Sequence, residues 1–362
     1  MQNPFNPTFG DVPKIYLDNG NQAESLAELI QNSEFSRSFF ITGVRGSGKT
    51  TFMTQVETLL THDSKCLPIS LINDEHLLES FVNQLAHAVE SKSLSLAKKL
   101  QGFTAGPISM SFSNEKSGSD VITKVVELMQ IVKKKHQYVL VTIDEVDNSR
   151  SIRSFAQVFS DLKRHQMPIF ALMTGLPDLI LNVQNEKKLT FLLRSEKITM
   201  EPLGSGNTAL SYSESLGCDW TTAQQMANMV RGYSYAFQLL GYLAFEQQAK
   251  LQRPIQSADL KTIEQQYIVQ LFDNAYQKIF VDLSTQDKRY LIAVADHRQF
   301  KDVVSLMHQN ASYVSQYRRR AIERHLVVPA AYGRVEYTLP YFAEYLKAVQ
   351  DPNSVYFDYL EF

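Results

Sequence analysis

The stretch Gly43-Val44-Arg45-Gly46-Ser47-Gly48-Lys49-Thr50 constrains this chain more than any other. It fits the pattern G-x-x-x-x-G-K-[ST] without a gap. Glycines at 43, 46 and 48 let the backbone turn tightly and present its N–H groups to phosphate oxygens. The Lys49 ammonium can reach β- and γ-phosphates, and the Thr50 hydroxyl can join the shell of a Mg²⁺ ion. The apolar run Phe39–Ile41 predicts a strand before the loop. A helix predicted over about 50–60, with Thr51 in its first turn, aims its positive end at the same anion. Strand before and helix after separate a phosphate-binding loop from a glycine-rich turn that fits by chance.

At 362 residues the chain exceeds one ordinary domain, and 44% hydrophobic with 20% charged residues suits packed cores. The net charge of −2 gives no global field toward a polyanion, so any basic surface must be local. Cys66 and Cys218 lie far apart without metal-ligand spacing, as do the histidines, and two lone thiols fit a reducing compartment. The N-terminus lacks a basic start followed by an apolar stretch. The most apolar segments, such as Tyr235–Phe245, are too short to span a bilayer. A cytoplasmic protein with no membrane partner is expected.

Residues 1–20 are punctuated by Pro4, Pro7 and Pro13, with a small apolar patch at Ile15–Leu17. Helical spacing is predicted over 22–31, 75–99 and 120–135, and a strand over 66–72. Residues 101–118 suit a hairpin or a loop. Tyr138–Ile143 is a near-continuous apolar run, as expected of a strand buried on both faces of a parallel sheet. It ends in Asp144-Glu145. Beside a phosphate loop, Asp144 can hold Mg²⁺ and Glu145 can orient and deprotonate an attacking water. The alternative is two carboxylates capping the next helix, a part that Asp147 is also expected to play. A helix over 154–165 and a strand over 168–173 follow. Thr174, closing that strand, either faces the γ-phosphate or forms a turn. Arg194 either pairs with an acid such as Glu196 or is presented to a nucleotide on a neighbouring subunit, which implies self-association. The alternation predicts an α/β fold with a doubly wound parallel sheet over 1–204 and the ligand at the strands' carboxyl ends.

From 205 to 283 the strand signals stop and helices are predicted over 207–216, 221–231, 234–248 and 256–278. Residues 284–362 read differently: helices over 285–296, 301–308 and 312–325, two strands around the turn at Ala331–Arg334, and a closing helix over 341–349. Three helices and a hairpin is the order of a winged helix. Its third helix carries Arg318, Arg319 and Arg320, with Arg334 at the wing tip, an inventory suited to double-stranded DNA. Docking of a protein remains the alternative.

In order along the chain, GVRGSGKTT, YVLVTIDEVD, ALMTGLP, LRSEKITMEPLG and RGYSYAFQLLGYLAF resemble the AAA+ and STAND-type ATPases, and among them the origin-recognition initiator ATPases. The resemblance implies an ATP- and Mg²⁺-dependent hydrolase that cycles between ATP and ADP, with a helical lid. It implies that Lys49 and Thr50 are Walker A residues, and Asp144 and Glu145 the Walker B pair. Thr174 would take the sensor-1 place and Arg194 that of an arginine finger. Val12–Tyr16 would lie beside the adenine. The lid departs from the pattern: Tyr235 stands where a sensor-2 arginine is usual, Ser234 where STAND relatives carry proline, and Arg231 is a candidate substitute.

Overall fold

A computed structural model describes residues 2–8, 13–99, 118–177, 195–295 and 298–357. Val12, residues 101–117 and Arg194, and the expectations placed on them, lie outside the described residues. Five parallel strands form one sheet: β1 Ser38–Thr42, β2 Cys66–Leu71, β3 Tyr138–Ile143, β4 Ile169–Gly175 and β5 Glu196–Thr199, ordered β2-β3-β4-β1-β5. Between them run α1 Gln22–Gln31, α2 Lys49–Thr61, α3 Leu77–Lys99, α4 Gly118–Lys134 and α5 Arg150–Arg164.

The pleat of the strands divides the core. Val139, Val141 and Ile143 of β3 pack with Phe81, Phe155 and Phe159 on one face, while Tyr138 and Leu140 pack with Phe39, Phe52 and Leu172 on the other. Because side chains alternate along a strand, burial on both faces favours the near-continuous apolar runs seen in β1, β3 and β4. The short edge strand β5 lacks such a run and is partly exposed, so its own sequence does not announce it.

Beyond the sheet lie α6 Ser205–Leu216, α7 Trp220–Val230, α8 Ser234–Leu251 and α9 Ser257–Leu271. The single helix expected over 256–278 is broken by a π turn, Phe272–Tyr276, before α10 Gln277–Val281. That turn sends both Phe272 and Tyr276 to the ring of Tyr345, at 5.2 and 5.9 Å. The last block contains α11 Thr285–Ala293, α12 Phe300–Leu306 and α13 Ala311–Glu323, the antiparallel pair β6 Val327–Ala331 and β7 Arg334–Tyr337, and α14 Phe342–Ala348. Gly333 turns the hairpin at φ +71°. One continuous hydrophobic core joins this block to the helices before it.

The N-terminal segment is an integral part of that core. Phe5 is buried against Tyr212 and Phe237, and the bare Cα of Gly241 makes room for its ring; a Cβ there would lie 2.4 Å from it. Gln238 then ties the segment twice, accepting from Asn6 N at 3.0 Å and donating to the Ile15 carbonyl at 2.8 Å. No described helix is long and apolar enough to cross a membrane.

Candidate nucleotide site

The loop between β1 and α2 opens onto a cleft of about 1350 Å³, which is ample for a nucleoside triphosphate. Gly46 and Gly48 hold φ at +77° and +89°, which only glycine adopts at little cost. Gly48 caps α2 without a side-chain hydrogen bond. The first N–H groups of that helix are therefore left for a ligand, and the helix dipole favours an anion there. The Lys49 ammonium donates to the carbonyls of Gly43 and Val44, at 3.0 and 2.9 Å. Burial, opposed by Asp144 and reinforced by Arg45, pushes its pKa down to about 8.

Strand pairing brings the carboxylates to the loop. Ile41 of β1 pairs with Thr174 of β4, and Ile143 of β3 pairs with Met173, so the carboxyl ends of all three strands meet. Thr50 Oγ1 donates to Asp144 Oδ2 at 2.9 Å, and Thr174 Oγ1 donates to Asp144 Oδ1. Thr174 is fully buried and also accepts from Glu145 N at 3.0 Å. It is thus a strand residue that fixes the acidic pair rather than a turn former. A hydroxyl and a carboxylate side by side are the hard oxygen donors that suit Mg²⁺, which commonly completes its shell with water and substrate phosphates.

Neither Asp144 nor Glu145 caps the following helix. That role falls to Ser149, which accepts from Ile152 N, and the expectation for Asp147 needs correcting. Asp147 instead accepts from Asn73 Nδ2 and Ser149 N, both at 3.1 Å. Burial works against ionisation there, but those hydrogen bonds hold its carboxyl below the ordinary range. Asn73 also donates to the Glu145 carbonyl at 3.0 Å, and so supports a residue with φ +51°. Sequence reasoning missed Asn73 because an asparagine just beyond a strand carries no local signal.

The rest of the wall comes from α8. Three consecutive residues at its start engage three consecutive loop carbonyls: Tyr233 Oη donates to Arg45 O at 2.8 Å, Ser234 Oγ to Ser47 O at 3.1 Å, and Tyr235 N to Gly46 O at 3.0 Å. Tyr235 lines the cleft at the expected sensor-2 place. Arg231 does not; it terminates α7 in the left-handed region and lines a separate recess with Tyr341 and Glu344. Tyr16 and Thr51 line the cleft, and the Tyr16 hydroxyl is buried without a hydrogen-bond partner among the described residues. Its burial beside Asp18 and Glu24 raises its pKa.

The basic residues of α13 do not act as one patch. Arg320 and Arg324 turn inward to the buried carboxylate of Asp287, at 2.8 and 3.2 Å, and line the far end of the nucleotide cleft. Arg319 faces solvent beside Glu323 at 3.7 Å, and Arg318 is partly exposed. Arg334 is exposed on the hairpin, where Nε donates 3.0 Å to the Gln299 carboxamide oxygen. Glu196, expected as a partner for Arg194, pairs with Arg37 at 2.7 Å.

Residues 19–170 match the KAP family P-loop domain, and 273–346 match a domain of unknown function, DUF8462. The origin-recognition protein ORC2 of Aeropyrum pernix, solved with ADPNP and ADP, superposes with a TM-score of 0.63 at 12% identity, over 95% of this chain and 96% of that one. The fold is that of a P-loop NTPase. A Walker-type ATPase of Pyrococcus abyssi gives 0.58 at 12% identity, over 92% and 96% of the two chains. Cdc6p of Pyrobaculum aerophilum gives 0.50 at 11% identity, over 94% and 96%. No curated protein matches the sequence. The likeness in fold to these structures thus extends over nearly the whole chain.

Proposed function

We propose that the chain is an ATP-hydrolysing nucleotide switch, with an ATPase part over 1–204, a lid over 205–283 and a winged helix over 284–362 that engages double-stranded DNA. The observation that carries the ATPase reading is the convergence of Lys49, Thr50, Asp144 and Thr174 at one mouth of the cleft. Gly43–Thr51 would cradle the phosphates, and Tyr16 would stand at the base. Thr50 and Asp144 would hold Mg²⁺, which when bound neutralises charge on the β- and γ-phosphate oxygens. Glu145 would align the attacking water and take its proton, and Thr174 would keep Glu145 and Asp144 in register. Lys49 would offset charge on the phosphoryl group as it transfers.

The DNA reading rests on the helix–helix–helix–hairpin order and on Arg318, Arg319 and Arg334, which lie outside the Asp287 cluster. Arg320, paired inward, would contribute to DNA contact only through the position of α13. A second reading is favoured by the core shared between the lid helices and the last block: the winged helix packs on the lid as a signalling arm that meets protein, and DNA plays no part.

ATP turnover of the wild type and of Glu145→Gln, each with and without duplex DNA, tests the two. Stimulation by DNA that vanishes in Glu145→Gln supports the first reading. Turnover indifferent to DNA, with a size change between ADP and an ATP analogue, supports the second. Wild-type turnover retained in Glu145→Gln removes the assigned role of that residue.

A further inference from the structure

We propose that Arg45, inside the phosphate loop, is the cation that meets the terminal phosphate from within the same chain. The inference rests on the ATPase reading above. Arg45 Nη2 lies 3.8 Å from Glu145 Oε1, so the guanidinium stands where the glutamate would hold water. It lines the same cleft as Lys49 and Asp144, and its charge is felt at the Lys49 ammonium. The side chain therefore shares one cleft with the residue that reaches the β- and γ-phosphates and lies beside the residue that would activate the nucleophile.

Stability does not account for this placement. With side-chain exposures of 36% and 64%, the Arg45–Glu145 pair is a surface contact of little worth to the fold. The backbone, in contrast, is held firmly: the Arg45 carbonyl accepts from the buried Tyr233 hydroxyl, and the Gly46 carbonyl from Tyr235 N. A well-anchored main chain that presents a guanidinium to the cleft beside Glu145 is an arrangement for a ligand. Arginine suits it, since its planar fork can engage a carboxylate and a phosphoryl group together.

In the step this implies, the water oxygen bonds to the γ-phosphorus as the bond to the β–γ bridging oxygen breaks. The electron pair of that bond leaves on ADP, and the water proton passes to the Glu145 carboxylate. Arg45 donates N–H bonds to the equatorial γ-oxygens, where the charge of the transferring group is greatest. The chain would then need no cation from a neighbouring subunit.

The test measures single-turnover ATP hydrolysis over a hundredfold range of protein concentration, for the wild type, Arg45→Ala and Arg45→Lys. Binding of a non-hydrolysable ATP analogue and of ADP with aluminium fluoride is measured alongside. The wild-type rate should be independent of protein concentration. Arg45→Ala should lower kcat by about 10²–10³, the scale for removing one preorganised transition-state donor. It should lose a similar factor in aluminium fluoride affinity and change analogue affinity less than about threefold, since only the transition state makes the full contact. Millimolar guanidinium should restore part of the lost rate, and Arg45→Lys should recover only part of it.

Wild-type kcat in Arg45→Ala would overturn the proposal and leave the ATPase reading intact. So would a wild-type rate that rises in proportion to protein concentration, or equal losses for the analogue and the fluoride complex. A wild type that binds neither nucleotide would overturn both.

Discussion

The Tyr233 hydroxyl donates to the Arg45 carbonyl oxygen at 2.8 Å, which joins the start of α8 directly to the phosphate loop. The ring of Tyr233 lies 6.4 Å from that of Tyr276, whose hydroxyl donates to the Pro340 carbonyl in the last block. A short chain of contacts thus runs from the loop through Tyr233 and Tyr276 to the last block.

Tyr233→Phe should destabilise the protein by about 0.5–1.5 kcal/mol in urea unfolding, the usual net worth of one hydrogen bond. Gly46→Ala should cost more. Its φ of +77° alone costs an alanine about 1–2 kcal/mol, and the new Cβ would lie 2.3 Å from Tyr233 Oη. Combined with Tyr233→Ala, which removes the clashing ring, Gly46→Ala should cost less than it does alone. An additive pair would show that the two residues do not meet.

Affinity for ATP should depend on pH through Lys49. Its pKa in the free protein is about 8, and bound phosphates favour the ammonium, so binding takes up a proton above that pH. Affinity should be flat at lower pH and weaken by up to about tenfold per unit above it. The folded pKa lies below the unfolded 10.5, so the unfolded chain holds more protons between the two values. Stability without nucleotide should therefore rise across that window. Calorimetric titration at several pH values checks the binding, and Lys49→Arg should flatten it, because a guanidinium stays charged.

Asp287 gathers Arg320, Arg324 and the Ser284 hydroxyl around one carboxylate that is 4% exposed. Asp287→Ala leaves two arginines facing each other. The loss should be about 2–4 kcal/mol, somewhat below that of a wholly buried pair because Arg320 is partly exposed. Thermal unfolding measures it; a change within experimental error would mean the cluster is an incidental surface network.

If the last block binds duplex DNA, Arg318→Ala with Arg319→Ala should weaken binding and lower the slope of log affinity against log salt by about 1.8, for two lost phosphate contacts. Arg320→Ala should act chiefly on stability, since its guanidinium is held by Asp287. Fluorescence anisotropy over a range of salt separates the two, and an unchanged slope in the double variant removes those arginines from the interface.

The phosphate loop and the strand ending in Asp144-Glu145 were legible because their chemistry is local. The spacing of three glycines, a lysine and a threonine sets which backbone conformations are open, and an unbroken apolar run requires a strand covered on both sides. Helices α6 to α8 were legible for the same reason, and Gly217 ends the first of them in the left-handed region. Arg318, Arg319 and Arg320 were legible only as a group. Their helical spacing said that they point in different directions, not that Asp287, more than thirty residues earlier, would claim one of them.

By itself, then, the sequence determined the glycine-rich loop between β1 and α2, the alternation of strands and helices, and the helix–hairpin order of the last block. All of these depend on residues within about a dozen positions of one another. Tertiary structure decided the rest: the strand order, the hold of Asn73 on the Glu145 carbonyl, the burial of Phe5 over Gly241, and the three hydrogen bonds from Tyr233–Tyr235 to the loop. Each joins segments far apart in the chain, where partners are selected by packing of the whole core rather than by any local pattern.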